Sequence, residues 1–283
     1  MVAQTETHTD RPVAIAPSSQ VEQSSRRSRA ANRKLVRYAV PLVAVAGLIG
    51  LWEAVVVGFR IPPYIVPPPV AVWNTLLSQW GMLMANLAPT ALETALGFVV
   101  GNGVAILLAV IFVHSKPIER AFFPVAIFIR TIPIVAIAPV LVIMFGTGYT
   151  PKVLIAALIS FFPTLVNTVR GLESVDAQAM ELMRVLSATP REVLFKVRVF
   201  ASLPYVFSAL KIAATSSVIG AVVAEWIGAS SGLGYLIVQA TYNYQTAELY
   251  AAMVVTSLFA SACFTLVGLA ERLIVRWETE AKP

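Results

Sequence analysis

"MELMRVLSATPREVLFKVRVFASLP", residues 180–204, holds four cations and two carboxylates in 25 residues, inside a 283-residue chain that is 58% hydrophobic. Within it, "ATPRE" sets Thr189 as an N-cap, Pro190 at the first helical position and Glu192 at the third. That pattern is a capping box, so a helix starts at residue 190. Upstream, "DAQAMELMRVL" from Asp176 reads as a second short helix, and "SAT" (187–189) as the tight break between the two. Met180, Leu182, Met183, Leu186, Val193, Leu194 and Val197 interleave with the charges and give the unit an apolar face. Part of that face is expected to pack on the ends of the chain's own helices, and the rest to meet a partner. A plain solvated connection needs none of this order, since connections typically run about 4–6 residues.

The segments on either side explain why such a unit is needed. Charged residues are only 13% of the chain, against about 25% in soluble proteins, so the solvent of most of it is lipid. Six apolar runs approach the ~20 residues that cross ~30 Å of hydrocarbon: 38–59, 87–113, 131–148, 153–169, 203–226 and 247–270. They lack the alternation of barrel strands and are expected to be helices. The expected fold is an all-α integral membrane protein with six transmembrane helices.

Cations assign the sides. The tail before residue 38 has seven, the 114–130 connection three, the 170–202 connection five and the C-terminus three, while Arg60 and Lys152 stand in the opposite loops. This bias places both termini and the 180–204 stretch in the cytoplasm. It also accounts for the net charge of +6, so no nucleic-acid partner is implied. Residues 1–37 are read as a disordered basic tail, 38–273 as the membrane domain with its cytoplasmic segment 176–202, and 274–283 as a short cytoplasmic tail. The first apolar run is too long for a signal-peptide core and is expected to remain as an anchor.

Two connections need their own reading. "SKPIERAFFPVAIFIR" (115–130) is apolar but bracketed by Lys116, Glu119, Arg120 and Arg130, and is expected to lie at the interface, because a mid-membrane Arg costs at least ~2.5 kcal/mol. On the other side, five prolines within 61–69 forbid a helix, and a short surface helix anchored by Trp73 and Trp80 is expected to follow.

Polar groups inside spans are functional candidates. Glu225 ends the fifth run beside the glycine-rich "GASSGLG" (228–234); it either lines a permeation path or gate, or braces the loop. Ser216, Ser217 and Gly220 put small groups on the same run, which either line a polar path or allow close helix packing. Lys211 is expected to snorkel to the cytoplasmic surface. Glu53 and Glu93 receive no role. "GASSGLG" lacks the Lys of a phosphate-binding loop and is read as a re-entrant or gate loop. One cysteine, Cys263, and two distant histidines, His8 and His114, imply no metal or redox site, and no catalytic set is evident. A self-sufficient secondary transporter or channel is the alternative reading; it calls for helices broken at mid-membrane, and none is evident in the sequence.

From about residue 61 to 270 the chain resembles the permease subunits of binding-protein-dependent ABC importers, in the branch of nitrate, sulfonate, taurine, bicarbonate and thiamine-precursor pyrimidine systems. The resemblance rests on "IVAIAPVLVIMFGTG" (134–148), "FFPTLVNTVRGLESVD" (161–176), "LPYVFSALK" (203–211) and "VVAEWIGASSGLGYLI" (222–237), in that order. The family's cytoplasmic motif, E-A-A-x(3)-G-x(9)-I-x-L-P, starts here at Glu181. Val197 stands for its Ile, while Leu182, Met183, Ser187, Val199 and Phe200 depart from it.

The resemblance implies a type I, MetI-like architecture in the bacterial inner membrane. It also implies that the 176–202 unit is a coupling helix docking on a cytoplasmic ABC ATPase, through Glu181, Leu186, Ser187, Ala188, Thr189 and Arg191. ATP and Mg are then used by that ATPase and no cofactor by this chain. Further implied partners are an extracytoplasmic substrate-binding protein, a second permease copy (a homodimer) and membrane lipid. The solute is either a small anion of the nitrate, sulfonate, taurine or bicarbonate kind or a heterocycle of the pyrimidine or riboflavin kind.

Overall fold

The computed structural model describes residues 19–275, with backbone alone for 19–38. The expected tail at 1–37 therefore lies outside the described residues up to residue 18, and the backbone of 19–37 is helical. Of the expected C-terminal tail, 276–283 lie outside. All regular structure among the described residues is helical.

The chain divides into two compact units, one ending at Phe59 and one beginning at Arg60. The first contains α1 (Ser19–Gly58), whose apolar part, Ala39–Gly58, is 20 residues long, about 30 Å at 1.5 Å per residue.

The second unit begins with the proline-rich stretch, and α2 (Pro69–Ser78) starts with a proline at its first position, where no amide is needed. Then come α3 (Trp80–His114), α4 (Lys116–Thr131), α5 (Ile134–Phe145) and α6 (Tyr149–Glu173). The capped pair α7 (Ala177–Val185) and α8 (Pro190–Val193) leads through a π turn (Leu194–Arg198) into α9 (Val199–Glu225). A short α10 (Leu233–Tyr242) and the long α11 (Thr246–Ile274) end the fold.

Among the described residues, five helices are long and apolar enough to cross a membrane, and six spans result if α4 and α5 count as one. The third expected span differs most from the structure. Its helix, α5, has only 12 residues, about 18 Å, too short to cross alone. It is joined to α4 by a 96° bend at Ile132–Pro133, because a residue preceding proline is driven out of the helical region.

The 115–130 segment, expected at the interface, is fixed in the structure by two contacts with α6. Lys116 at its start pairs with Glu173 at the end of α6, whereas Arg130 at its end stands over the Phe162 ring, 4.6 Å from the centroid. Phe162 is eleven residues before Glu173, roughly 16 Å along α6. Thus α4 runs beside α6 and places Arg130 level with the middle of that helix.

α3, α6 and α9 form the centre of the second unit, and small residues set their spacing. A Cβ on Gly97 would fall 2.4 Å from Ala156 Cβ, and one on Gly101 2.4 Å from the Ala157 carbonyl oxygen, so α3 meets α6 backbone to backbone. On the other side of α6, a Cβ on Gly220 of α9 would lie 2.8 Å from Ala156 Cα. Small residues at four-residue spacing permit this approach in lipid, where dispersion replaces the hydrophobic drive. Buried Thr164 donates to Asn102 Oδ1 at 2.5 Å across the α3–α6 seam.

Two charges of the spans are paired. Lys152 is buried in the first turn of α6 rather than in a loop, and its Nζ lies 2.9 Å from Glu93 Oε1 of α3. Lys152, expected in an outer loop, is thus a bundle residue. Lys211 does not merely snorkel: it pairs with Glu271 of α11 at 2.8 Å, half-buried.

Candidate functional site

The capped unit is built as its sequence dictates. Asp176 caps α7, its side chain accepting from the Gln178 amide. α7 ends in a Schellman motif: the Ala188 amide donates to the Met183 carbonyl at 3.0 Å and the Ser187 amide to Arg184 at 2.9 Å. Such a motif needs a left-handed residue, and Ser187 takes that role with φ +51. It stands where the related motif has glycine, so the departure is chemical and not conformational. Next, the Glu192 amide donates to Thr189 Oγ1 at 3.3 Å while the Thr189 amide donates to Glu192 Oε2 at 2.9 Å, completing the capping box, and Lys196 pairs with Glu192 at 3.0 Å.

The apolar face of this unit divides in two. Leu194 is buried in a cluster with Ala105, Ala109, Phe112, Leu165, Val169 and Leu172, which keys the unit into α3 and α6. Arg198 donates to the Leu172 carbonyl at 3.3 Å, satisfying an orphan acceptor near the end of α6. Leu182, Val185 and Leu186 are left open, 59%, 77% and 65% exposed. Glu181, Ser187, Thr189 and Arg191 are exposed beside them and Ala188 is half-buried, so the six expected coupling residues share one end of the molecule.

At the other end of the bundle lies a brace around the glycine-rich loop. The first three amides at the start of α10 have side-chain acceptors: Gly232 on Asn86 at 3.0 Å, Leu233 on Thr90 at 2.9 Å and Gly234 on Glu225 at 2.6 Å. Thr90 in turn donates to Glu225 Oε1 at 2.6 Å. The Glu225 carboxylate is thus placed at a helix N-terminus, where negative charge is favoured. Gly232 has φ +116, and a Cβ there would overlap the Glu225 carboxylate; one on Gly234 would lie 2.2 Å from the Val222 carbonyl.

Between the two ends, α3, α4, α5 and α6, with Ile212 and Ser216 of α9, line an open cavity of about 1030 Å³. Its lining is mostly aliphatic and aromatic, including Phe122, Phe161 and Phe162, with Arg130 as its single charged residue and Thr131 and Ser216 among its few polar ones. Of the four residues expected at a path or gate, Ser216 lines this cavity. Ser217 is fully buried with its hydroxyl unpartnered, Gly220 is the α9 contact on Ala156, and Glu225 is 1% exposed in its brace. The Glu225 carboxylate is hydrogen-bonded to the loop and to α3, and Glu225 is not among the residues that line the cavity.

Sequence reasoning misses Arg130, Asn86, Thr90 and the Glu93–Lys152 pair. "NLAPTALE" (86–93) does carry the signal: three polar groups at helical spacing inside an apolar run. Among the described residues no cluster of His, Cys, Asp and Glu is gathered for a metal ion.

Comparison with known proteins places this architecture. A family described as "Binding-protein-dependent transport system inner membrane component" matches residues 101–279. A "Probable ABC transporter permease protein" of Haemophilus influenzae is 33% identical over 240 residues, covering 84% of this chain and 98% of its own. The "Riboflavin transport system permease protein RibX" of Chloroflexus aurantiacus is 33% identical over 254 residues, covering 87% and 94%. Among solved structures, a chain of the inward-facing MetNI methionine ABC transporter superposes with a TM-score of 0.55 at 21% identity, over 72% of this chain and 97% of that one.

Proposed function

Because the chain belongs to the binding-protein-dependent transport system inner membrane components, and so is a multi-pass ABC permease subunit of the bacterial inner membrane, we propose that segment 176–202 is its docking element for the ATPase. The observation that carries this is the divided apolar face: Leu194 is locked into the bundle while Leu182, Val185 and Leu186 stand free on a helix stopped and restarted by two well-formed caps. A rigid, half-anchored lever of this kind transmits displacement, whereas a flexible loop would absorb it. Glu181 and Arg191 supply the charges at its rim, and Ser187, Ala188 and Thr189 form the turn that enters the partner's groove.

In this reading the chain performs no hydrolysis. ATP and Mg act in a separate ATPase, a substrate-binding protein delivers the solute, and a second copy of this permease completes the translocation path. The path runs along the cavity lined by Ser216. The solute is a small anion of the nitrate, sulfonate, taurine or bicarbonate kind or a pyrimidine- or riboflavin-like heterocycle.

Disulfide trapping tests the docking. A cysteine at Leu186 is expected to cross-link to a cysteine in the docking groove of the co-expressed ATPase, while one at Trp73, on α2, is expected not to. Equal cross-linking from both positions would refute the assignment.

A further inference from the structure

We propose that the open cavity lined by α3 to α6 is a binding site for an organic anion with an apolar or aromatic body, and that Arg130 is the group that recognises its charge. This deepens the permease reading above and rests on it, since it names the chemical class that the path accepts.

Three observations converge. Arg130 is the single charged residue of a cavity whose walls are otherwise nearly all hydrocarbon, and among the described residues it has no ion-pair partner. Other charges of the bundle behave differently: Lys152 has Glu93 and Lys211 has Glu271. Arg130 is exposed on the open side of the cavity, so its charge is accessible to an incoming anion and is not neutralised by the chain itself. The guanidinium carbon also lies over the Phe162 ring, 4.6 Å from its centroid, a contact that holds the head group beside the cavity while its N–H groups stay available to an acceptor such as a sulfonate, carboxylate or phosphate ester. Finally, the helix break at Ile132–Pro133 brings the first turn of α5 (Ile134, Ile137) to the same cavity, adding the positive end of a helix dipole. The volume, about 1030 Å³, takes an aromatic body as well as the charged group.

The test uses the full chain assembled with its ATPase in phosphatidylcholine nanodiscs. Equilibrium dialysis compares labelled benzenesulfonate with its uncharged isostere benzenesulfonamide. The wild-type complex is expected to hold the sulfonate at least tenfold more tightly, Arg130→Gln to abolish that preference with sulfonamide binding unchanged, and Arg130→Lys to keep part of it. Val104→Trp, which fills the cavity, is expected to weaken both probes alike.

Equal affinities in wild type, absence of sulfonate binding, or an unchanged preference in Arg130→Gln would overturn the inference. So would full displacement of the sulfonate by phosphatidylglycerol nanodiscs, which would identify a lipid headgroup as the occupant, or loss of the dimer in Arg130→Gln, which would identify a carboxylate of the second copy. Failure of any ATPase to co-purify is a separate outcome, and it would strike the permease reading itself.

Discussion

Glu93 of α3 and Lys152 of α6 form a buried ion pair at 2.9 Å, with side chains 0% and 8% exposed, fastening the two helices near the ends where the loop brace sits. Removing one partner leaves an uncompensated charge in a dry site, at about 3–5 kcal/mol. Glu93→Ala and Lys152→Ala are each expected to lower the melting temperature of the purified protein sharply. The double change Glu93→Met, Lys152→Met is expected to recover most of the loss, and a thermal-shift double-mutant cycle in detergent measures the coupling.

Ser187 holds a left-handed conformation that costs an L-residue roughly 1–2 kcal/mol. Ser187→Gly is expected to stabilise the α7–α8 turn by about 1 kcal/mol and leave transport intact. Ser187→Val, β-branched at positive φ, is expected to loosen it. Hydrogen exchange of the Ala188 and Ser187 amides reads the effect directly.

Leu186 and Leu194 lie eight residues apart with opposite surroundings, so their substitutions are expected to fail differently. Leu194→Ala removes a buried side chain and is expected to cost about 2–5 kcal/mol of stability. Leu186→Asp, at an exposed position, is expected to leave stability within about 0.5 kcal/mol but to lower ATPase co-purification. Glu181→Lys is expected to leave insertion unaltered and abolish substrate-stimulated ATPase in the assembled complex; normal stimulation in that variant would exclude Glu181 from the contact.

Glu225→Ala orphans the buried Gly234 amide, at about 1–3 kcal/mol, and leaves the Thr90 hydroxyl only the Asn86 carbonyl as acceptor. Increased proteolysis within 226–232 is the expected sign, with Glu225→Gln retaining most of the protection because its carbonyl still accepts. Gly234→Ala is expected to give the same proteolytic pattern, through collision with the Val222 carbonyl.

Much of this was legible in the residues. Runs of apolar side chains marked the spans because lipid leaves no other place for them, and Thr189, Pro190 and Glu192 fixed a helix start because capping is local chemistry. What escaped depends on partners far away in the chain. Arg130 among apolar neighbours reads as a membrane boundary when only its cost is counted; the Phe162 ring beneath it and the cavity beside it exist only after folding. Lys152 likewise reads as a loop cation because its counter-ion is 59 positions earlier. Glu225 was balanced between path and brace, and its direction is set by the amides of a loop that no local rule aims at it. Gly97 and Gly101, by contrast, did offer a signal in their four-residue spacing.

Ala156 is wedged between glycines of two neighbours, Gly97 on one side and Gly220 on the other. Main chains in such contact cannot slide without collision, so α3, α6 and α9 shift as a single slab.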